Sequence, residues 1–330
     1  MKKVLFATTA LIATTGMAAA EVTFGGFGRF GLFYQENAAG TNETRIEQRF
    51  RLTITGQTTA DNGLEFEGRI RFQTDDNGPN TGIAPSGGAS SVAQSSAAGF
   101  AVTSGGFRLD VGSVSNVVDS GDVVNYFGYG VGLTSFAEQS SQFSNTAVGF
   151  GTTGNTADTV APTVKLRYSV GDFTVSASVT DDAQTIDVNP ATGAITAGGG
   201  NSSYQIGAGY SFGNYAVGAV FGSTENTGPG GTDNDEWLLG FTGDIGALAF
   251  AVIVGDSDAQ SDVSYGFSVK YDIAAATEIR FVFSDSGAPG NSDTIALGFR
   301  HGLGGGVTLA GGIGDSAGTT TADLGVIFNF

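Results

Sequence analysis

The sequence predicts an all-β protein: a transmembrane antiparallel β-barrel of about 16 strands, with one long loop folded into its interior. Three observations carry that expectation. Apolar and polar residues alternate with a period of two along much of the chain. Short glycine-containing turns alternate with longer polar loops. The final strand presents an apolar face and ends on Phe330.

The alternation sets the strands. From Val263 to Tyr271 every odd residue is apolar or aromatic and every even one is small or polar. Phe173 to Thr180 and Val164 to Val170 repeat the pattern. Successive side chains of a strand point to opposite faces, so each segment has one apolar and one polar face. The connections set the topology. Tight turns are expected at Asp61-Asn62-Gly63, Gly105-Gly106, Gly171-Asp172, Gly213-Asn214, Asp244-Ile245-Gly246, Ala274 to Ala276 and Gly302 to Gly306. Longer loops are expected at 75–97, 181–201, 224–234, 256–261, 286–291 and 315–320. Short turns on one rim and long loops on the other is the asymmetry of outer-membrane barrels.

A β-sandwich would explain the alternation alone. Aromatics near strand ends on the apolar phase (Tyr34, Tyr168, Tyr204, Phe212, Tyr215, Tyr265, Tyr271) fit an interfacial girdle better. The polar phase lacks the large side chains that fill a small barrel, which points to an aqueous lumen. In the last strand Ala322, Leu324, Val326, Phe328 and Phe330 alternate with Asp323, Gly325, Ile327 and Asn329. An exposed aromatic end of this kind suits a strand that closes a barrel in lipid.

The N-terminus reads as a secretory signal peptide over residues 1–20. Lys2 and Lys3 precede a mostly apolar stretch, and Ala18-Ala19-Ala20 supplies the small residues of a cleavage site. The barrel then occupies 21–330, with 32 acidic against 12 basic residues and a formal charge of about −20. That balance argues against a nucleic-acid partner, whose phosphates demand a basic footprint. The absence of cysteine excludes disulfide and thiol chemistry. Beyond the signal no run of 18 apolar residues appears, so no spanning helix is expected.

The bases show where function resides. Phased by the apolar residues, Arg29, Arg45, Arg49, Arg51, Arg69, Arg71, Arg108, Lys165, Arg167, Lys270, Arg280 and Arg300 all take the polar face. A lipid-facing Arg or Lys at the midplane costs about 2–4 kcal/mol, so a lipid-bathed outer face requires this segregation. Arg29 lies eight residues past Glu21, Arg49 and Arg51 ten and eight before Thr59, and Arg69 and Arg71 seven and nine after Asn62. At about 2.5 Å of climb per tilted residue, these five share a level roughly 18–25 Å above the short-turn rim. Opposite them the segment 113–161 holds no Lys or Arg but carries Asp119, Asp122, Glu138 and Asp158 among aromatic and branched residues. A loop this long is normally functional or disordered. Folded inward, it becomes the acidic side of a constriction whose basic side is the arginine wall.

Other motifs carry less. Gly26-Phe27-Gly28-Arg29-Phe30-Gly31 matches a dinucleotide fingerprint but lies in an alternating strand and opens no helix. Asp233-Asn234-Asp235-Glu236 and Asp256-Ser257-Asp258 read as solvated loops. His301, the only histidine, has no nucleophile and acid arranged beside it in sequence, so no enzyme activity is expected.

The chain resembles the general porins of Gram-negative bacteria, in particular the alphaproteobacterial porins of Rhodobacter type. The resemblance rests on Glu21-Val22 with Arg29, Gly63-Leu64-Glu65-Phe66, the Tyr168 to Ala177 hairpin, Tyr210 to Gly218, and Ala322 to Phe330. It implies a sixteen-stranded homotrimeric barrel in the outer membrane, bordered by lipid and lipopolysaccharide, with a third loop folded into the pore. It makes Phe328 and Phe330 the signal read by the barrel assembly machinery. It requires no cofactor; calcium bound near the constriction in some relatives makes Asp119 and Asp122 the candidate ligands. The expected function is passive diffusion of small hydrophilic solutes and ions. Alternatives are a substrate-selective porin and a structural or adhesive barrel with a plugged lumen.

Overall fold

A computed structural model of the chain describes residues 20–36, 43–75, 94–141, 143, 162–181, 186–188, 195–197, 201–226, 233–290 and 293–330. Residues 1–19 of the expected signal peptide, most of the loops expected at 75–97 and 181–201, and Asp158 lie outside them.

The described strands are, in chain order, β1 (Glu21–Gln35), β2 (Thr44–Thr59), β3 (Glu65–Asp75), β4 (Gln94–Ser95), β5 (Gly99–Ser104), β6 (Phe107–Gly112), β7 (Thr163–Val170) and β8 (Phe173–Asp181). There follow β9 (Ile186–Val188), β10 (Ile195–Ala197), β11 (Asn201–Phe212), β12 (Tyr215–Asn226), β13 (Asn234–Ile245) and β14 (Leu248–Ser257). The last five are β15 (Ser264–Ala274), β16 (Thr277–Asp285), β17 (Asp293–Gly304), β18 (Val307–Ser316) and β19 (Thr319–Asn329). Sixteen antiparallel strands make a closed wall. The two-residue β4 extends the β5 edge against β3, and β9 and β10 form a separate hairpin within the loop between β8 and β11.

All seven expected tight turns occur. The Gly residues at 63, 105, 171, 213 and 246 and at 304–306 take positive φ, which two-residue hairpin turns require. One long loop is corrected: 315–320 is no loop. β18 runs to Ser316 and β19 starts at Thr319, and only Ala317 and Gly318 intervene, at φ 52 and 79. The polar Asp-Ser-Ala-Gly-Thr-Thr composition marks a hairpin tip whose flanking polar residues stay in the ladder.

Closure is made by β1 against β19, with Phe27 opposite Asn329 through to Gln35 opposite Thr321. Phe330 continues the ladder: its carbonyl accepts from the Gly26 amide at 3.0 Å, and its own amide donates to the Gly26 carbonyl at 3.1 Å. Its ring stacks on Phe50 at 5.4 Å.

The outer face is apolar along these strands. Phe24, Phe30, Leu32, Phe50, Leu239, Leu297 and Leu324 are exposed there, alternating with the inward residues. A bilayer satisfies such a surface, whereas water does not. The inner face departs from expectation in one respect. On β13 and β14 the inward residues Leu238, Ala251 and Ile253 are apolar and fully buried. They face protein, because the segment after β6 lies against them.

Candidate functional site

Residues 113–141 leave β6 and run inside the barrel along the inner wall. Asn116 caps a single helical turn, α1 (Val117–Ser120), by accepting from the Asp119 amide at 2.9 Å. Gly121, at φ 68, ends it. Val117 and Val118 donate their amides to Ser178 Oγ on β8 and Gln205 Oε1 on β11. Val117, Val118, Val124 and Tyr126 then bury against Val220, Leu238 and Ile253 of the wall. Each buried aliphatic side chain contributes about 1.5–3 kcal/mol to that docking.

Glycines make the contact possible. A Cβ on Gly218 would stand 1.7 Å from the Val123 carbonyl oxygen, and one on Gly266 1.7 Å from that of Gln139. Gly207 and Gly240 leave the same room for Val123 and Val124, Gly298 and Gly312 for Val131, and Gly31 and Gly325 for Leu133. The small residues of the polar phase, read from the sequence as the lining of an open lumen, are here the seat of an inner layer. Small inward residues accommodate water or a packed segment equally well, so the same lining serves an aqueous lumen and the seat of this layer.

Polar anchors fix the path. Ser268 Oγ accepts from the Tyr129 amide at 2.9 Å and donates to Gln139 Oε1 at 3.0 Å. Arg280 donates to the Gly130 carbonyl at 3.0 Å. Asp323 on β19 accepts from the Leu133 amide at 2.7 Å and from the Thr134 amide and hydroxyl at 2.8 Å. The segment therefore spans from β8 round to the closing seam of β19 and β1.

The predicted basic residues sit as follows. Arg29 and Arg49 are direct cross-strand partners. Arg51 lies opposite Gln73, and Arg71 and Arg69 opposite Thr53 and Thr55. The five form a diagonal band across β1–β3. Arg29 is buried and bound to Glu47 through Nε at 2.8 Å and Nη2 at 2.7 Å. Glu47, almost fully buried, was missed by sequence reading. The available signal was its place on the polar phase of β2, two residues before Arg49. Arg51 donates to Gln73 at 2.6 Å and lies over Phe27, while Arg45 lies over Phe33.

The acids divide three ways. Asp119 has electrostatic neighbours in Arg71 and Lys165; burial raises its pKa, against the opposing Ser115 hydrogen bond and those two charges. Asp122 binds Lys165 at 2.7 Å and Arg167 at 3.1 Å, with Ser176 Oγ at 3.3 Å. Burial pushes its carboxyl up, but the Lys165 hydrogen bond and charge outweigh this and hold it below the usual range. The reading of Asp122 as a charge set against β1–β3 is thus revised: its partners are on β7. Glu138 lies elsewhere, beside Ser141 and Gly130, and burial with no basic neighbour contributing pushes it up to about 7. No group of three His, Cys, Asp or Glu suited to a metal ion, Asp119 and Asp122 included, occurs among the described residues.

Comparison with known proteins gives a consistent picture. Residues 7–321 match the model of a family described as Gram-negative porin. A protein of Fuscovulum blasticum named "Porin" is 28% identical over 314 residues, covering 94% of this chain and all of that one. Structures of two engineered variants of Rh. blastica porin superpose with TM-scores of 0.73 and 0.71 at 24% and 23% identity. Each covers 94% of this chain and the whole of the other.

Proposed function

The chain belongs to the Gram-negative porin family, and from that premise we propose how its channel treats the solutes that cross it. It is an outer-membrane general diffusion porin, a channel for small solutes rather than an enzyme. The constriction in this reading lies between the inner segment, carrying Asp119, and the basic band of Arg49, Arg51, Arg69 and Arg71. What supports it is the mutual electrostatic influence of Asp119 on the inner segment and Arg71 on β3. Charges in a narrow, partly low-dielectric passage are screened less than those on an open surface. A transverse field there orients dipolar solutes and disfavours apolar ones. Arg29, neutralised by Glu47, supports the wall more than the field.

Export through a signal peptide at 1–20, assembly as a homotrimer, contact with lipopolysaccharide, and recognition of Phe328 and Phe330 by the assembly machinery belong to the same proposal. The apolar outer face supports a place in lipid, and the pairing of Phe330 with Gly26 supports a role for that residue in closing the barrel.

The test replaces Arg49, Arg51 and Arg71 with Ser and measures reversal potential under a salt gradient. The expected result is a shift towards cation preference with conductance kept or raised. Arg45→Ser, four residues nearer the loop rim and lying over Phe33, is the control. Equal behaviour of the two refutes the field. Arg300 does not suit as a control, because its Nη2 reaches Ser135 of the inner segment.

A further inference from the structure

On β15, β16 and β17, strands that do not carry the arginine band, a second set of charges comes together. Asp272 on β15 pairs with Glu278 on β16, and Glu278 pairs with Arg300 on β17. Directly paired residues share a face, so all three side chains point into the barrel. Two strand spacings set the outer members of this row about 10 Å apart. The row lines a cleft of about 620 Å³ that opens beside the Ala274–Thr277 turn.

The middle of the cleft is occupied by its own ion pairs. Glu278 Oε1 holds Arg280 Nε at 2.7 Å and Nη2 at 2.6 Å, and Lys270 lies 4.0 Å from its other oxygen. Arg280 directs Nη1 to the Gly130 carbonyl. The ends of the row are different. Arg300 makes one long contact, 3.5 Å to Ser135 Oγ, and its Nε is buried with no partner among the described residues. Asp323, whose charge Arg300 also feels, is already committed to Leu133 and Thr134. Asp272 is exposed, and its carboxylate has no ion pair among the described residues. A base and an acid thus face one cleft, separated by a pair that satisfies itself.

A simple anion entering there would meet Arg300 but also two carboxylates. A simple cation would meet Asp272 but also Lys270, Arg280 and Arg300. A solute carrying both charges satisfies both ends and leaves the central pair intact. We propose that this cleft is a station for zwitterionic solutes, the class of free amino acids and short peptides, with the carboxylate on Arg300 and the ammonium on Asp272. Arg300 supplies a planar fork suited to a carboxylate. The station is separate from the arginine band, so its test stands or falls independently of the transverse field.

The probe is glycylglycine, titrated against single channels in planar bilayers, with acetate and ethylammonium as singly charged references. The expected result is saturable blocking by glycylglycine alone. Arg300→Gln and Asp272→Asn should each raise its half-saturating concentration at least ten-fold, and Arg300→Lys, which keeps the charge but loses the fork, by a few-fold. Heat-modified gel mobility establishes folding, and Asp272→Asn, at an exposed residue, remains informative should Arg300→Gln fail to fold. Half-saturation unchanged in both neutral variants overturns the proposal. So does acetate blocking as tightly as glycylglycine with no effect of Asp272→Asn, which would make the cleft an anion site only.

Discussion

Adding one methyl group to Gly218 and one to Gly266 should loosen the inner segment without disturbing the barrel. Each new Cβ would stand 1.7 Å from a backbone carbonyl oxygen, of Val123 and of Gln139. An ordinary contact needs about 3.5 Å, so each carbonyl must retreat by roughly 1.8 Å. Neither oxygen belongs to a flexible side chain, so the segment itself must move. Overpacking of this kind costs about 1–3 kcal/mol per site. The opposing term is the burial of Val117, Val118 and Val124, about 1.5–3 kcal/mol each as an upper bound. One substitution should therefore weaken docking, and the pair, at well-separated points of the path, should nearly cancel it. The assay is amide hydrogen exchange over 114–141, joined to the noise of the open channel. Gly56→Ala, where a Cβ meets nothing within 4 Å, is the reference. Heat-modified mobility should be unchanged in all of these variants, because the ladder hydrogen bonds are untouched. A double variant as protected and as quiet as Gly56→Ala would show that the segment is not held by the glycine seat.

Three more outcomes are expected. Phe267→Arg, on the lipid face, should reduce folded barrel by about 2–4 kcal/mol, whereas Thr174→Arg, inward and near the rim, should be tolerated; equal yields of heat-modifiable protein would refute the phase assignment. Deleting Phe330 removes two backbone hydrogen bonds to Gly26 and the ring on Phe50, so inserted protein should fall sharply, and normal surface levels would contradict that role. Glu138, raised from 4.5 to about 7 by burial, binds its proton more tightly when the segment is docked, so docking should be strongest at low pH and weaken as pH rises to about 7. Channel noise should rise over that window in the native protein and stay flat in Glu138→Gln; a pH-independent native channel would remove Glu138 from the docking surface.

The strand pattern was legible because lipid leaves little freedom: every outward position must be apolar and every base must turn inward. That single demand gave the phase of β7, β8 and β15, the placement of all twelve bases and the seam at Phe330. Turn chemistry gave the seven short connections, since Gly171-Asp172 and Gly213-Asn214 offer the positive φ that hairpins need. The tip at Ala317-Gly318 was misjudged because polar residues on a strand that rises out of the membrane look like loop residues. Nothing in β18 distinguishes a ladder in water from a connection in water.

The lumen was harder to read, because an inward residue reports only what it tolerates. Gly207, Gly218, Gly240 and Gly266 suit water, yet they seat Val123, Val124 and Gln139. The contrary signal was present in β14, where Ala249, Ala251 and Ile253 keep the inward phase apolar as well. A strand apolar on both faces has protein on one side and lipid on the other, and this places a packed layer inside the barrel before any contact is seen. The same principle explains the division among the charges. Arg29 with Glu47, Asp122 with Lys165, and Glu278 with Arg280 are satisfied pairs near the packed layer, where an isolated charge is costly. Arg71 and Asp119, which influence each other from β3 and the inner segment, and Arg300 and Asp272, at the two ends of one cleft, are not bound to each other. Charges bound in close pairs hold the architecture, and charges not bound to one another in this way are the ones a passing solute can meet. The residues that govern permeation are therefore to be sought among the second group, whatever their sequence distance from the inner segment.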